Sequence, residues 1–273
     1  MAVLVRPIVK WAGGKTRLLS SLKPHVPKQV KTYVEPFAGG AALFFSLAGE
    51  APRRFENAVL NDANPELVAC YRAIQRSVDD VIAALGKYRY DRALYYKTRD
   101  RDTARMSDVE RAARFIFLNR TCYNGLWRVN AKGKFNVPFG RYRDPRICDP
   151  DALRAASWAL SGAIIHNGDF TTATRDLGAG DFVYFDPPYV PVSKTADFTS
   201  YAAGGFGASD QARLVSEIRR LRTAGARVVL SNADTPETRA LYKGFKKVTV
   251  EAPRPINSNA QKRGPARELV VIS

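Results

Sequence analysis

The chain carries, from Lys31 to Ala48, a short apolar run, a glycine turn and a segment rich in alanine, leucine and phenylalanine, KTYVEPFAGGAALFFSLA. An apolar run of this length is typical of a buried strand, and the glycines allow a sharp turn into a helix. A second strand-like run follows at 57–60, and the acidic turn NDANPEL places Asn64 where it can cap a helix that opens with Pro65. Strand, glycine turn, helix and strand in this order predict the start of an open α/β sheet.

The alternation of strands and helices is interrupted after this start and then resumes. Residues 65–108 look helical and charged, and RAARFIFLNR is the first strand-like run after them. The segment NGLWRVNAKGKFNVPFGRY has alternating runs on both sides of residues 130–133, which predicts a β-hairpin. We therefore predict a doubly wound α/β domain formed by residues 1–64 and 148–273, interrupted at 65–147 by a helical region with the hairpin. The elements that resume the pattern lie in AIIHNGDF, DFVYFDPPY, SDQARLVSEIRRLRTAG, ARVVLSNAD and RELVVIS.

The chain is strongly basic, with 43 lysines and arginines against 26 acidic residues and a formal net charge of +17. A field of this size attracts polyanions, so nucleic acid is the expected partner, with a merely basic soluble surface as the alternative. The sequence has no apolar run near the ~18 residues that a membrane span needs, and no signal-peptide pattern. Three cysteines without pairing or metal spacing, and two distant histidines, His25 and His166, predict a reducing cytoplasm and no metal site.

The segment KWAGGKT, from Lys10 to Thr16, ends in Gly-Lys-Thr, as a phosphate-binding loop does. Such a loop needs an earlier glycine, separated from the second one by four other residues, so that its amides can surround the phosphates. Counting back from Gly14, that position is occupied by Val9, and no strand of normal length precedes it. The segment is therefore better interpreted as an N-terminal turn that serves another ligand.

Ligands of open α/β sheets bind at the carboxyl ends of the strands, where two acidic side chains are expected. Glu35 follows the first strand in EPFAGG and can bind an ammonium group, although tight strand-to-helix turns often look the same. Asp62 follows the second strand, where a carboxylate can accept both hydroxyls of a ribose. An Asx turn or a charge at a helix N-terminus is an equally good interpretation of Asp62.

The segment YFDPPY is the strongest of these features, because a buried strand ends in an acid, two prolines and an aromatic residue. The prolines donate no amide, so the neighbouring carbonyls are expected to face the cleft as acceptors. Asp186 adds a carboxylate acceptor and Tyr189 a stacking face, an arrangement that suits a planar amine. A strand end with a rigid turn is the alternative, but it leaves the acid and the aromatic unexplained.

DPPY, preceded by EPFAGG and KWAGGK, resembles the motifs of amino-methyltransferases that use S-adenosylmethionine. The motif order, with a long insertion between the glycine turn and DPPY, is similar to that of the Dam-type DNA adenine-N6 methyltransferases of the D12 class. The likeness runs nearly from end to end and includes LNRTCYNGLWRVNAKGKFNVPFGRY, DFTSY, VVLSNAD and INSN. DPPY alone also marks enzymes that act on RNA or protein glutamine. The hairpin segment is more specific and points to the Dam group, whose members modify adenine in GATC.

The resemblance implies a Rossmann-like methyltransferase sheet, with residues 1–64 and 148–273 as the catalytic domain and 65–147 as the target-recognition domain. It places KWAGGK against the methionine end of S-adenosylmethionine rather than against a triphosphate. One departure is that the family turn usually reads Gly-x-Gly, whereas this chain has Ala41 after Gly40, so either Ala41 is strained or Gly40 takes over the role. The implied cofactor-binding residues are Trp11, Lys15, Glu35, Phe37, Gly39, Asp62, Asp169, Phe170 and Asp186.

The resemblance also implies direct methyl transfer without a metal, on an adenine that is flipped out of the duplex. Hydrogen bonds from the adenine amino group to Asp186 and to the Pro187 carbonyl would localise the nitrogen lone pair and stabilise the positive charge that develops. Tyr189 would stack on the base. The expected catalytic residues are Asp186, Pro187, Pro188 and Tyr189.

Sequence reading is expected from the hairpin, which fits the DNA major groove. In the family pattern Arg128 binds a guanine in bidentate fashion, a pair of residues contacts a thymine methyl, a second pair fills the space left by the flipped base, and Lys10 reaches another guanine. Hairpin packing and phosphate contact are the alternatives for these residues. The expected DNA-binding residues are Lys10, Tyr123, Asn124, Leu126, Arg128 and Pro138.

Other DNA contacts and partners are less defined. Trp127 and Lys134 depart from the commonest family members, so flanking contacts are expected to differ. The basic loop NSNAQKRGPAR is interpreted as a phosphate clamp, with a solvated loop as an equal alternative. We expect double-stranded DNA as the partner, no membrane, metal or obligate protein partner, and a nucleoid location in the cytoplasm of a bacterium or phage host. Adenine methylation at another DNA site or in RNA, and an inactive DNA-binding relative, remain alternatives, and a restriction partner stays open.

Overall fold

The structure is a computed structural model that describes residues 3–189, 206–252 and 266–273. The DFTSY segment at 197–201, INSN at 256–259 and most of the predicted phosphate clamp lie outside these residues. Within the described part of the chain, seven strands form a single sheet in the order β3-β2-β1-β4-β5-β7-β6. The strands are β1 (Val30–Glu35), β2 (Phe55–Asp62), β3 (Ile164–Asn167), β4 (Phe182–Phe185), β5 (Arg227–Ala233), β6 (Lys246–Ala252) and β7 (Ala266–Ile272).

Strands β1 to β5 run parallel to one another, whereas β7 is antiparallel to both β5 and β6. The strand order reverses direction between β1 and β4, which makes this the point where open α/β sheets bind ligands. Because β7 runs the opposite way, its beginning lies at the same edge as the ends of β1 to β5. The predicted doubly wound α/β class is confirmed, and β6 is a strand that the sequence analysis did not predict.

Both faces of the sheet are buried by apolar side chains. One cluster joins β1 and β2 to the helical region and contains Tyr33, Phe44 and Phe115, and a second joins β4 and β5 to the helix that lies between them in the chain. All four residues of β4 are buried, as expected for a central parallel strand covered on both sides. The helices are α1 (Leu19–Leu22), α2 (Ala42–Ala48), α3 (Pro65–Leu85), α4 (Arg92–Arg99), α5 (Asp108–Thr121), α6 (Pro150–Leu160), α7 (Ala208–Thr223) and α8 (Pro236–Leu241). None of the helices in the described residues has the length and apolar character to cross a bilayer.

The strand-like interpretation of RAARFIFLNR is wrong, because the segment lies inside helix α5. Ser107 and Glu110 form a capping box that starts the helix three residues before this segment, and the apolar run is buried because α5 packs closely against α3. The predicted cap at Asn64 is confirmed, because its side chain accepts hydrogen bonds from the amides of Glu66 and Leu67 at the start of α3.

The predicted hairpin forms as a narrow ladder rather than as regular strands. Val129 bridges Phe135, and the Asn136 amide donates to the Arg128 carbonyl at 3.1 Å. Trp127 is only 3% exposed and packs between Phe115 and Phe135, at 4.1 and 4.5 Å between ring centroids. The Trp127 ring therefore anchors the hairpin on α5, and the expectation that the flanking DNA contacts differ stays a prediction.

Candidate active site

The site lies at the carboxyl edge of the sheet, at the switch between β1 and β4. Glu35 ends β1, Asp62 ends β2, and Asp186 directly follows β4. The N-terminal turn reaches this edge through Lys15, whose side chain is 4% exposed. The structure therefore brings together the three acidic features and the KWAGGK segment that the sequence analysis singled out.

Asp186 is held by two donors on the same carboxylate oxygen. The Lys15 ammonium lies 2.8 Å from Asp186 Oδ1, and the Ser231 hydroxyl donates to the same atom at 2.9 Å. Ser231 is fully buried at the end of β5, and its Oγ is 2.9 Å from the hydroxyl of Tyr184. This chain of side chains fixes the direction in which the carboxylate faces the cleft.

Tyr189 lies on the other side of the same ammonium. The Lys15 Nζ is 4.7 Å from the centre of the Tyr189 ring, within the range of a cation–π contact. The Tyr189 hydroxyl donates to Glu268 Oε2 at 2.6 Å, and Glu268 comes from the start of β7. A carboxylate and an aromatic face thus converge on one nitrogen.

The proline carbonyls are only partly available as acceptors. The side-chain amide of Gln211, at the first turn of α7, donates to the Pro188 carbonyl at 3.2 Å. The expectation that the carbonyls beside the prolines are all left to a ligand is therefore wrong for Pro188. Its carbonyl already anchors the segment from Asp186 to Tyr189, which forms the rim of the cleft, to α7. Pro187 itself is buried.

Glu35 is 2% exposed and accepts hydrogen bonds from the Tyr33 hydroxyl and, at 3.0 Å, from the amide of Phe44 in the first turn of α2. Burial raises the pKa of this carboxyl to about 8, an effect that the two donors oppose and that the nearby Asp186 carboxylate reinforces. Both donors are neutral, so Glu35 is largely protonated at neutral pH until a cation approaches it.

The glycine turn after β1 is a tight cradle beside Trp11. Gly39 has φ +46°, and a Cβ there would lie 2.7 Å from the indole ring of Trp11. Ala41 has φ 49°, a left-handed conformation, so of the two possibilities at the family's second glycine position the strained alanine is the one that occurs. The backbone is thereby bent so that the start of α2 faces the cleft.

Asp62 is bound to this turn and to the start of α3. One carboxylate oxygen accepts from the amide of Gly39 at 2.8 Å, and the other from the amide of Asn64 at 2.9 Å. The Asx-turn interpretation of Asp62 is therefore confirmed, while its binding of a ribose remains a prediction. Burial raises the pKa of Asp62, and the two amides act in the opposite direction.

Three aromatic rings cluster next to the β3 end of the cleft. Phe37 stacks on Phe170 with 5.4 Å between ring centroids, and Phe206 contacts both rings. Asp169 accepts from Thr171 and, at 2.9 Å, from Arg213, and these donors lower the pKa of its carboxyl despite partial burial. The predicted pair Asp169 and Phe170 thus lies beside Phe37, with Arg213 as an additional member.

The predicted DNA-binding residues lie on the hairpin side. Tyr123 is 51% exposed, Asn124 has φ 54°, and Arg128 is exposed with its Nε donating to Asn136 Oδ1 at 2.9 Å. Pro138 is exposed, and its carbonyl accepts from the Tyr123 amide at 2.9 Å, whereas Leu126 is half-buried.

Lys10 joins this surface to the active site. Its Nζ lies 4.1 Å from the centre of the Tyr142 ring, and burial lowers the pKa of its ammonium. The fully buried side chain of Asn119 donates to the Lys10 carbonyl and accepts from its amide, both at 2.7 Å, and also donates to the Gly125 carbonyl. Asn119 therefore ties the KWAGGK turn to the start of the hairpin.

Several of these residues were not predicted from the sequence. Ser231 and Glu268 were not singled out, although VVLSNAD and RELVVIS were predicted as strands. Their signal is positional: a polar residue at the end of a parallel strand, or at the start of an antiparallel one, lies at the ligand edge. In the described residues, no group of three or more His, Cys, Asp or Glu side chains has the arrangement of a metal site.

Comparison with known proteins agrees with this geometry. Residues 11–256 match the family described as D12 class N6 adenine-specific DNA methyltransferase. The type II methyltransferase M.MjaIII of Methanocaldococcus jannaschii is 42% identical over 95% of both chains, and M1.LlaDCHI of Lactococcus lactis is 40% identical over 98% of this chain and 95% of its own. The DNA adenine methylase of Escherichia coli K12 is 33% identical, again over 98% and 95%.

Among solved structures, an rRNA methyltransferase of Streptomyces viridochromogenes covers 99% of this chain and 86% of its own, at a TM-score of 0.42 and 13% identity. The family match includes the N-terminal turn from Trp11 onward, the glycine turn after β1 and the rim from Asp186 to Tyr189. The alignments with the relatives extend over nearly the whole chain. The chain belongs to the D12 class of N6 adenine-specific DNA methyltransferases and is an S-adenosylmethionine-dependent enzyme of that family.

Proposed function

We propose that this enzyme methylates N6 of adenine within GATC in double-stranded DNA, on a base that is flipped out of the helix. The observation that carries the proposal is the convergence of the Asp186 carboxylate and the Tyr189 ring on the Lys15 nitrogen. A carboxylate acceptor beside a stacking face is what an aromatic amine needs, because its amino group donates in the plane of a ring that stacks. The hairpin resemblance to the Dam group supports GATC as the site.

The residues around the ends of β1 and β2 fit the cofactor. Glu35 is a buried acid whose two donors are neutral, so it can receive the ammonium of the methionine moiety. Asn61 Oδ1, next to Asp62, is buried without a hydrogen-bond partner among the described residues. We assign the methionine end to Trp11, Lys15, Glu35 and Gly39, and the ribose to Asp62. Phe37 was expected in the pocket of the methionine end, but because it stacks on Phe170 we assign it, with Asp169 and Phe170, to the adenine. The bound cofactor supplies an electrophilic methyl group on its sulfonium.

The enzyme's own contribution is to hold the amino group and its charge. Asp186 and the Pro187 carbonyl accept hydrogen bonds from the adenine amino group, which localises the nitrogen lone pair and stabilises the positive charge that develops there. Tyr189 and the rigid prolines fix the plane of the base. Since Lys15 now occupies the position that we assign to the amino group, its ammonium has to withdraw from Asp186 when the base enters.

Residues 65–147 form the proposed target-recognition region, and Lys10 adds to it from the N-terminal turn. Arg128 is assigned to a guanine, Leu126 and Pro138 to a thymine methyl, and Tyr123 and Asn124 to the space of the flipped base. The exposure of Arg128 and Pro138 on one hairpin supports these roles. The two relatives of highest quoted identity are named type II methyltransferases, which favours a role beside a restriction enzyme as the biological context.

The test is a transfer assay with methyl-labelled cofactor and two duplexes that differ only in the presence of GATC. The proposal predicts label in the GATC duplex alone, recovered as N6-methyladenine after digestion to nucleosides. Label in both duplexes overturns the site assignment. In a parallel reaction with an RNA hairpin, label there but in neither duplex makes the enzyme an RNA methyltransferase, and no label on any of these substrates overturns the GATC assignment.

Arg128→Ala is expected to relax base choice at one guanine. A bidentate contact to guanine is worth about 1–3 kcal/mol of discrimination, so the preference for GATC over a single substitution at that guanine should fall by roughly tenfold or more. Relative kcat/KM values on the four duplexes that vary this base measure the effect. A uniform loss on all four, with a shallower salt dependence, would instead show a phosphate contact.

Ser231→Ala is expected to lower kcat by about tenfold, because a hydrogen bond to a charged group contributes about 1.5–3 kcal/mol and its loss frees the Asp186 carboxylate to rotate. The KM for DNA should stay within twofold. Ser216→Ala, an exposed serine on α7, is the matched control. Equal kcat values for wild type and Ser231→Ala would show that Lys15 alone orients the carboxylate.

A further inference from the structure

Glu268 is a half-buried carboxylate at the rim that no step of the proposed reaction uses. Its Oε2 accepts a hydrogen bond from the Tyr189 hydroxyl at 2.6 Å. Burial raises the pKa of the Glu268 carboxyl, whereas the nearby Lys15 ammonium and the tyrosine hydroxyl lower it. A carboxylate in such a position has to be compensated by the groups that face it, and Tyr189 is the one that it binds directly.

The backbone that carries Glu268 is fixed to the strand that carries Ser231. Glu268 is paired with Ala233 in the antiparallel ladder between β7 and β5, two residues from Ser231. Ser231 holds Asp186, and Glu268 holds Tyr189. Two adjacent strands therefore hold the two ends of the Asp186-Pro187-Pro188-Tyr189 rim. Strand β5 holds the acceptor Asp186 through Ser231, and strand β7 holds the stacking ring of Tyr189 through Glu268.

The hydrogen bond from the Tyr189 hydroxyl to Glu268 restrains the Tyr189 side chain, which the prolines leave free to rotate. Pro187 and Pro188 restrict the backbone but not the rotation of the Tyr189 ring about its side-chain bonds. A phenol that donates to a carboxylate forms a short, charge-assisted hydrogen bond, which holds the ring by its far end. The position of the hydroxyl end is then set by β7 rather than by the loop, and because a phenol O–H lies preferentially in the plane of its ring, the direction to Glu268 also favours one orientation of the ring face.

We propose that Glu268 is a positioning residue that fixes the Tyr189 ring in the orientation in which it stacks on the target base. The proposal rests on the proposed function, because it takes Tyr189 as the stacking face for adenine. Glu268 acts through the tyrosine hydroxyl and does not touch the base. Its loss should therefore lower the rate of transfer from the bound complex without weakening the binding of DNA.

The experiment is a double-mutant cycle with Glu268→Ala and Tyr189→Phe, measured by single-turnover transfer and by DNA affinity. Glu268→Ala is expected to lower the transfer rate by about tenfold, the value of one hydrogen bond to a charged group, with Kd for DNA within twofold. Tyr189→Phe keeps the ring and removes the hydroxyl, so it should cost a similar factor. In the Tyr189→Phe background, Glu268→Ala should cost less than twofold more.

A conservative variant and a control variant accompany the double-mutant cycle. Glu268→Gln keeps an acceptor for the hydroxyl and should recover the rate to within about threefold of wild type. Glu251→Ala removes an exposed carboxylate from the neighbouring strand β6 and should leave the rate unchanged. Multiplicative losses in the double mutant, a Glu268→Gln rate as low as that of Glu268→Ala, or an equal loss with Glu251→Ala would each overturn the proposal.

Thermal unfolding of the four proteins of the cycle, namely wild type, the two single mutants and the double mutant, separates this inference from the proposed function. The Glu268–Tyr189 contact predicts a non-additive change in the free energy of unfolding whether or not the enzyme methylates DNA. If the two substitutions are non-additive in the free energy of unfolding but the wild type transfers no methyl group, the proposed function is wrong and the contact remains. Transfer by the wild type without coupling in either measurement would sink only the role of Glu268.

Discussion

Asp186→Ala is expected to abolish methyl transfer, by at least about a thousandfold in kcat, while sparing DNA affinity. The substitution removes the acceptor for the amino group at the moment when positive charge develops on the nitrogen, and preorganised groups of this kind supply roughly 3–4 kcal/mol each in other enzymes. It also leaves the buried Lys15 ammonium without its carboxylate, which adds to the loss. Single-turnover transfer and DNA binding in parallel measure the two effects.

Asp186→Asn and Asp151→Ala accompany this test. The asparagine keeps the shape of the side chain and one neutral acceptor, so it should fold normally and retain only a trace of activity. Asp151 is an exposed acid in the first turn of α6, and its removal should change nothing. Transfer by Asp186→Ala within tenfold of wild type would show that the carboxylate does not hold the reacting nitrogen.

Glu35→Gln is expected to weaken cofactor binding by about 10–100-fold, because a charge-assisted hydrogen bond to the cofactor ammonium contributes about 1.5–3 kcal/mol. The same substitution should remove a pH dependence of stability. The pKa of Glu35 is about 8 when folded, above its ordinary value of 4.5, so the folded state binds more protons between these values. The free energy of unfolding of wild type therefore falls as pH rises from about 4.5 to 8, whereas that of Glu35→Gln loses this slope.

Calorimetry in buffers of different ionisation enthalpy gives a direct measurement of the Glu35 proton. Cofactor binding at pH 7 should expel a proton from wild type, since the ammonium stabilises the ionised carboxylate, and this release should disappear in Glu35→Gln. Glu56→Gln, an exposed glutamate on β2, is the control. Unchanged affinity and unchanged proton release in Glu35→Gln would place the cofactor ammonium elsewhere.

The strand–turn–helix pattern predicted the parallel half of the sheet because each of its strands carries its own apolar run and its own turn. The sequence did not predict β6, Lys246–Ala252, because its segment KKVTVEA, with two adjacent lysines and polar residues beside the two valines, also suits an exposed loop until β7 pairs with it. RAARFIFLNR was misleading because an apolar run that is buried on all sides has no clear period. Trp127 could not be assigned from sequence, since its burial depends on α5 and the hairpin meeting.

The site was predictable where a motif and a strand end coincide, as at Asp186 and Glu35. The partners of these residues were not, because strand order decides them. Ser231 lies 45 residues from Asp186 along the chain, and Glu268 lies 79 residues from Tyr189. Only the antiparallel insertion of β7 beside β5 brings Glu268 to the ligand edge. The strain at Ala41 was foreseen as one of two possibilities, and the backbone decided between them.

The most direct measurement of the central claim is a crystal structure of the enzyme with S-adenosylhomocysteine and a GATC duplex. We expect an extrahelical adenine whose amino nitrogen lies within hydrogen-bonding distance of Asp186 and the Pro187 carbonyl, with its ring stacked on Tyr189 and Lys15 withdrawn from the carboxylate. A Lys15 ammonium still bound between Asp186 and Tyr189, with the adenine stacked inside the duplex, would contradict it.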